Sequence, residues 1–131
     1  MKISEKSTQA FEAACKKLGR STELPNFAMI PSDLALYLTA QYMLVTIIEA
    51  EKGSEQYDIT NHDEWKYYPW HEADHGYVAG SSAGGFRFYV YDGVLARTSV
   101  GARLCSNSRQ ECEANAKNYS DLWEIITLIV K

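Results

Sequence analysis

Between Pro31 and Gly53 lies the stretch that most limits how this chain can fold. Leu34, Tyr37, Leu38, Leu44, Val45 and Ile48 recur at largely helical spacing, and Leu36, Tyr42, Met43 and Ile47 widen the apolar stripe further. Pro31 suits a first turn, Ser32 a cap and Gly53 a stop. A helix this apolar has to be covered on several sides. It is expected to be the most buried element.

Its cover can be found on both sides in the sequence. Phe11, Ala14, Cys15 and Leu18 make one helical face over Ser7 to Leu18, with Gly19 placed to end it. Arg20 to Ile30 has no period and reads as an ordered loop. Near the other end, Ser108 and Glu111 have the spacing of a capping box. Tyr119, Leu122, Trp123, Ile126, Ile129 and Val130 follow at helical spacing, which predicts one long C-terminal helix of about five turns.

The middle has a different texture. Trp65-Lys66-Tyr67-Tyr68-Pro69-Trp70 and Phe86-Arg87-Phe88-Tyr89-Val90-Tyr91 are rich in aromatic strand formers. Gly80 to Gly85 reads as a hairpin loop, Asp92-Gly93 as a turn, and Val100 to Cys105 as a further strand. The expected class is therefore α+β: two N-terminal helices, a small antiparallel sheet of two to three strands, and a long C-terminal helix. No internal repeat or linker divides residues 1–131, so a single domain is expected.

Bulk properties narrow the function classes. With 46% hydrophobic and 23% charged residues, the chain can bury a core. Its net charge of -4 gives no general pull toward phosphates or anionic lipids. Cys15, Cys105 and Cys112 are odd in number and form no C-x-x-C pair, so they read as reduced thiols packed as small hydrophobes. The first residues lack the apolar run of a secretory signal, and no stretch reaches the ~18 apolar residues of a membrane span. A cytoplasmic setting without a membrane partner is expected.

One segment spells catalytic chemistry. His71-Glu72-Ala73-Asp74-His75 matches H-E-x-x-H, which on a helix sets two imidazoles one turn apart to chelate zinc. The glutamate would then activate a metal-bound water. The surroundings oppose that use. Pro69 and Gly76 leave room for about two helical turns, Asp74 puts a charge where packing needs an apolar residue, and no histidine follows His75. The acidic stretch from His62 through Asp74 reads instead as a solvated loop. No metal, cofactor or catalytic set is assigned, and His71 and His75 are the residues a metal would use. No nucleophile elbow, phosphate-binding loop or dinucleotide fingerprint is present either.

The aromatic segment offers a surface. Lys66, Tyr67, Trp70, Arg87, Tyr89, Tyr91 and Arg103 interleave rings with positive charge. Alternation puts Phe86, Phe88 and Val90 on one face, expected to be core, and Arg87, Tyr89 and Tyr91 on the other. Such a face suits a protein partner or self-association. It could also stack single-stranded nucleic acid, which the acidic net charge disfavours.

Lys66-Tyr67-Tyr68-Pro69-Trp70, Gly85-Phe86-Arg87-Phe88 and Val100-Gly101-Ala102-Arg103-Leu104-Cys105 resemble motifs of a small uncharacterised protein family. That family belongs to phages and prophages of gut Bacteroides-type bacteria. Leu18-Gly19-Arg20 and Tyr42-Met43-Leu44-Val45 extend the likeness over most of the chain. The resemblance implies a phage-type setting and no particular chemistry. It also places His71 to His75 in a region that varies within the group, which further disfavours a protease. The expectation is a non-catalytic phage- or prophage-type binding or assembly domain; the alternatives are a single-stranded nucleic-acid binder and a zinc hydrolase.

Overall fold

A computed structural model of the chain describes residues 2–53, 65–75, 77, 86–95 and 102–127. Helix α1 runs Glu5–Leu18 and helix α2 Ser32–Lys52. Strands β1 (Trp65–Ala73) and β2 (Phe86–Leu95) form an antiparallel pair. A short 3-10 turn, Ala102–Leu104, leads into helices α3 (Arg109–Asn118) and α4 (Ser120–Thr127). This is the expected α+β arrangement.

Both ends of α1 are closed by local chemistry. The Ser4 hydroxyl accepts the Ser7 N–H at 3.1 Å. At the other end Gly19 takes φ +68°, so that its N–H reaches the Lys16 carbonyl and the Arg20 N–H the Cys15 carbonyl. That left-handed stop favours glycine because a Cβ would strain it. A long-range tie is added by Asp121 of α4, whose carboxylate accepts from the Ser4 N–H at 2.8 Å and the Ser7 hydroxyl at 2.7 Å. The carboxylate thus completes the α1 N-terminus, where free N–H groups favour negative charge.

The core gathers Phe11, Ala14 and Cys15 of α1, Ala40, Met43, Leu44, Ile47, Ile48 and Ala50 of α2, and Leu122, Trp123 and Ile125 of α4. Helix α2 contributes half of it, the largest share, as its stripe predicts. Its first turns are an exception, since Leu34 is exposed and burial becomes steady only from Ala40. The three cysteines are free and buried, and burial pushes the Cys112 thiol up to about 12. Thiols held that far from ionisation act as packing groups. No helix among the described residues is long and apolar enough to cross a membrane.

Three expectations are corrected. Asp92 and Gly93 make no turn; they lie inside β2, opposite Tyr68 and Tyr67. Cross-strand pairing with β1 has overridden their local preference. The strand expected at Val100 to Cys105 is a 3-10 turn over Ala102–Leu104, after which Ser106 alone bridges Tyr67 through backbone bonds of 3.1 and 2.7 Å. The C-terminal helix is two helices. Tyr119 (φ -119°, ψ 36°) leaves the helical region between them. The break lets polar α3 lie against the strands while apolar α4 packs on α2. Gly80 to Gly85 lies outside the described residues.

Leu44 is fully buried, whereas Met29 is 99% exposed. Leu44→Ala is expected to lower stability by about 2–5 kcal/mol, and Met29→Ala by no more than about 0.5 kcal/mol. Urea denaturation of both variants checks the pair.

Candidate functional site

The H-E-x-x-H segment lies on a strand, with His71, Glu72 and Ala73 ending β1 and His75 exposed in the turn beyond. Strand geometry would put residues four apart at roughly 13 Å. A helix would bring them within about 6 Å. With His71 on the strand and His75 in the turn beyond it, the one-turn helical spacing that brings two imidazoles onto one zinc ion is missing. Among the described residues no group of three or more His, Cys, Asp or Glu could hold a metal ion. The solvated-loop reading also fails at His71, because pairing with β2 carries that residue under the helices.

Alternation sends His71 and Glu72 to opposite faces. On the inner face the His71 ring stacks on Phe86 with centroids 4.9 Å apart and planes within 3°. Trp123 stacks on His71 at 5.6 Å, and Phe88 meets its edge at 6.3 Å. Both ring nitrogens are buried and make no hydrogen bond. Burial pushes the imidazole below its ordinary pKa. The Ala116 carbonyl is near enough to oppose that shift, but lies outside hydrogen-bonding geometry for either nitrogen.

Trp123 is itself fixed from α3, donating its indole N–H to the Asn115 side-chain oxygen at 2.9 Å. The Asn115 amide reaches back to Glu51 of α2 at 3.4 Å. Glu51 is exposed as a residue, yet its carboxyl turns toward Asn115 and loses water. That burial raises its pKa to about 7, with the nearby Glu111 charge adding to the effect. An Asn-Trp-His relay thus joins α3, α4 and β1.

On the outer face Arg87 pairs with Glu72 at 2.7 Å and Asp74 at 2.9 Å. The register slips between Trp70 and His71, which face Val90 and Phe88, so Tyr89 is left as the unopposed residue of a β-bulge. Tyr89 is 67% exposed. Phe86 and Phe88 are half-buried behind it, as alternation predicts. Nearer the start of β1, Trp65 is exposed and stacks with Tyr67.

The other candidates scatter. Lys66 is only 4% exposed, so it is no surface contact. Tyr67 shares the His71 side of β1, half-buried, with the Arg109 guanidinium of α3 at 5.9 Å from its ring centre. Trp70 and Tyr91 take their places in the strands, but their side chains lie outside the described residues. Arg103 is exposed on the 3-10 turn, remote in role from the sheet face: with Val45, Glu49 and Lys52 it lines a depression of about 110 Å³. One Glu49 oxygen accepts from Arg20 at 2.7 Å. Its other oxygen is buried with no hydrogen-bond partner among the described residues.

That depression was missed by following apolar periodicity alone. Val45, Glu49 and Lys52 share one stripe of α2, and two charges on so apolar a helix are the signal that could have disclosed it. No family model, curated protein or solved structure matches this chain.

A carboxyl whose folded pKa exceeds its unfolded value loses stability as pH rises through that interval. For Glu51 the interval runs from its ordinary 4.5 to about 7. Glu51→Gln cannot ionise, so its stability relative to the unchanged chain should rise across that window and level off above it. Thermal melts over the pH range check the sign.

Proposed function

We propose that this chain is a non-catalytic assembly domain that self-associates through the outer face of its sheet. The observation carrying the proposal is Tyr89, exposed at a β-bulge beside a braced Arg87. Bulges re-aim side chains, and Tyr and Arg supply much of the binding energy at protein interfaces. Holding Arg87 between two carboxylates lowers the ordering cost of a contact. Arg87 is about half exposed, so these ion pairs add little to folding stability. Their arrangement makes better sense at a contact.

The charge pattern favours a second copy as partner. One cation lies between two anions, so copies related by a two-fold axis can each set Arg87 against the other's Glu72 and Asp74. Among the described residues the same face offers little to a phosphate backbone, because Arg87 is countered twice and Lys66 is buried. The phage or prophage setting rests on the motif resemblance and belongs to this proposal.

Sedimentation of the purified chain over a concentration series tests it. A concentration-dependent dimer is expected, which Arg87→Gln or Tyr89→Ser weakens by about tenfold or more with the fold retained. A chain that stays monomeric at high concentration, or variants that unfold instead of dissociating, would overturn the reading. Salt-sensitive binding of a single-stranded oligonucleotide without self-association would replace it.

A further inference from the structure

His71 is the most unusual polar group in the described structure. Its ring fills a slot between Phe86 and Trp123, while both nitrogens are shut off from solvent without a hydrogen bond. A neutral imidazole has one N–H to satisfy; an imidazolium has two and carries a full charge. Aromatic faces do attract a cation. Burial acts the other way, holding the ring toward the neutral form.

The charged groups on neighbouring elements are engaged elsewhere. Glu72 and Arg87 pair on the opposite sheet face. On α3, Glu113 pairs with Lys117, which also lies over Phe88; Glu111 is the exception, repelling Glu51 and keeping one buried oxygen without a hydrogen-bond partner among the described residues. On α4, Asp121 is held by Ser4 and Ser7, and Glu124 accepts from the Tyr77 hydroxyl. Cys112 of α3 is held as a neutral thiol. None of these makes a hydrogen bond to the ring to receive its charge.

We propose that His71 is a proton-operated latch between the sheet and the helices. Neutral, it locks the end of β1 into the slot formed with Trp123; protonated, it leaves the slot and frees the strand pair from α3 and α4. The latch does not depend on what the outer face binds.

The sign follows from linkage. A histidine whose folded pKa lies below its ordinary 6.5 binds protons more readily once released. Its contribution is fully present above about 6.5 and is lost as pH falls through the interval down to the folded pKa. Glu51 acts in the opposite direction, becoming less costly as pH falls from about 7. Whole-chain stability would therefore blend the two effects, and the test has to read the sheet itself.

Amide hydrogen exchange at about pH 7.5 and about pH 5, corrected for the intrinsic chemical rate, makes that separation. Acidification should raise the opening of β1 and β2 by up to about tenfold per unit of pKa depression, while the α1 and α2 amides stay protected. His71→Phe keeps a ring in the slot and should abolish the change, whereas His75→Gln should retain it. Should His71→Phe fold poorly, proton NMR titration of the unaltered chain decides the matter: the His71 ring must titrate below the ordinary 6.5. Unchanged sheet protection at low pH, or a His71 midpoint at or above the ordinary 6.5, would overturn the latch.

Discussion

The interaction on which the remaining architecture hangs is the bond from the Trp123 indole to Asn115. A two-stranded sheet in water is marginal unless something packs on it. Here α3 lies against both strands, and Trp123 of α4 adds a second support, offering one surface to the α2 core and another to His71 on β1. A tryptophan placed so deeply needs a partner for its N–H. Asn115 supplies it from the preceding helix, and the break at Tyr119 allows the two helices to face different layers.

A second polar tie closes the molecule from the other side. Asp121 sits one turn before Ile125 on α4 and takes two hydrogen bonds from the first turn of α1. The N-terminal helix is thereby joined to residues more than a hundred positions away. Charge at this junction is satisfied; at Glu51 and His71 it is discouraged. Their opposite signs matter: acidification relaxes the α2–α3 contact at the same time as it strains the contact between β1 and α4. Two groups that read pH in different senses are therefore linked through Asn115 and Trp123.

Sequence reasoning succeeded where periodicity and end chemistry agreed. Helices α1 and α2 have apolar stripes bounded by Gly19 and Gly53, and both stop at those residues. The Phe86-Arg87-Phe88-Tyr89 alternation likewise sorted half-buried rings from exposed groups. It failed where tertiary contact outweighed local preference. Asp92-Gly93 has turn chemistry, but cross-strand pairing keeps it extended. Ala102–Leu104 is apolar enough for a strand, but winds as a 3-10 turn before α3. Ser120 and Asp121 look like interior positions of one helix, although both residue types favour helix starts. The H-E-x-x-H letters predict helical chemistry only if the backbone is helical, and pairing with β2 decides otherwise. A candidate surface inferred from aromatic composition then divided, because Lys66, Tyr67 and Arg103 are carried to different parts of the fold.

Trp123 of α4 holds the end of β1 through its stacking on His71. Nuclear Overhauser contacts in the isotope-labelled chain at neutral pH, where His71 is neutral, check this packing. The account predicts cross-peaks from the His71 imidazole protons to the Trp123 indole and the Phe86 ring, with the imidazole resonances displaced upfield by ring currents. Imidazole protons at the shifts of an exposed histidine, with no contact to Trp123, would contradict it.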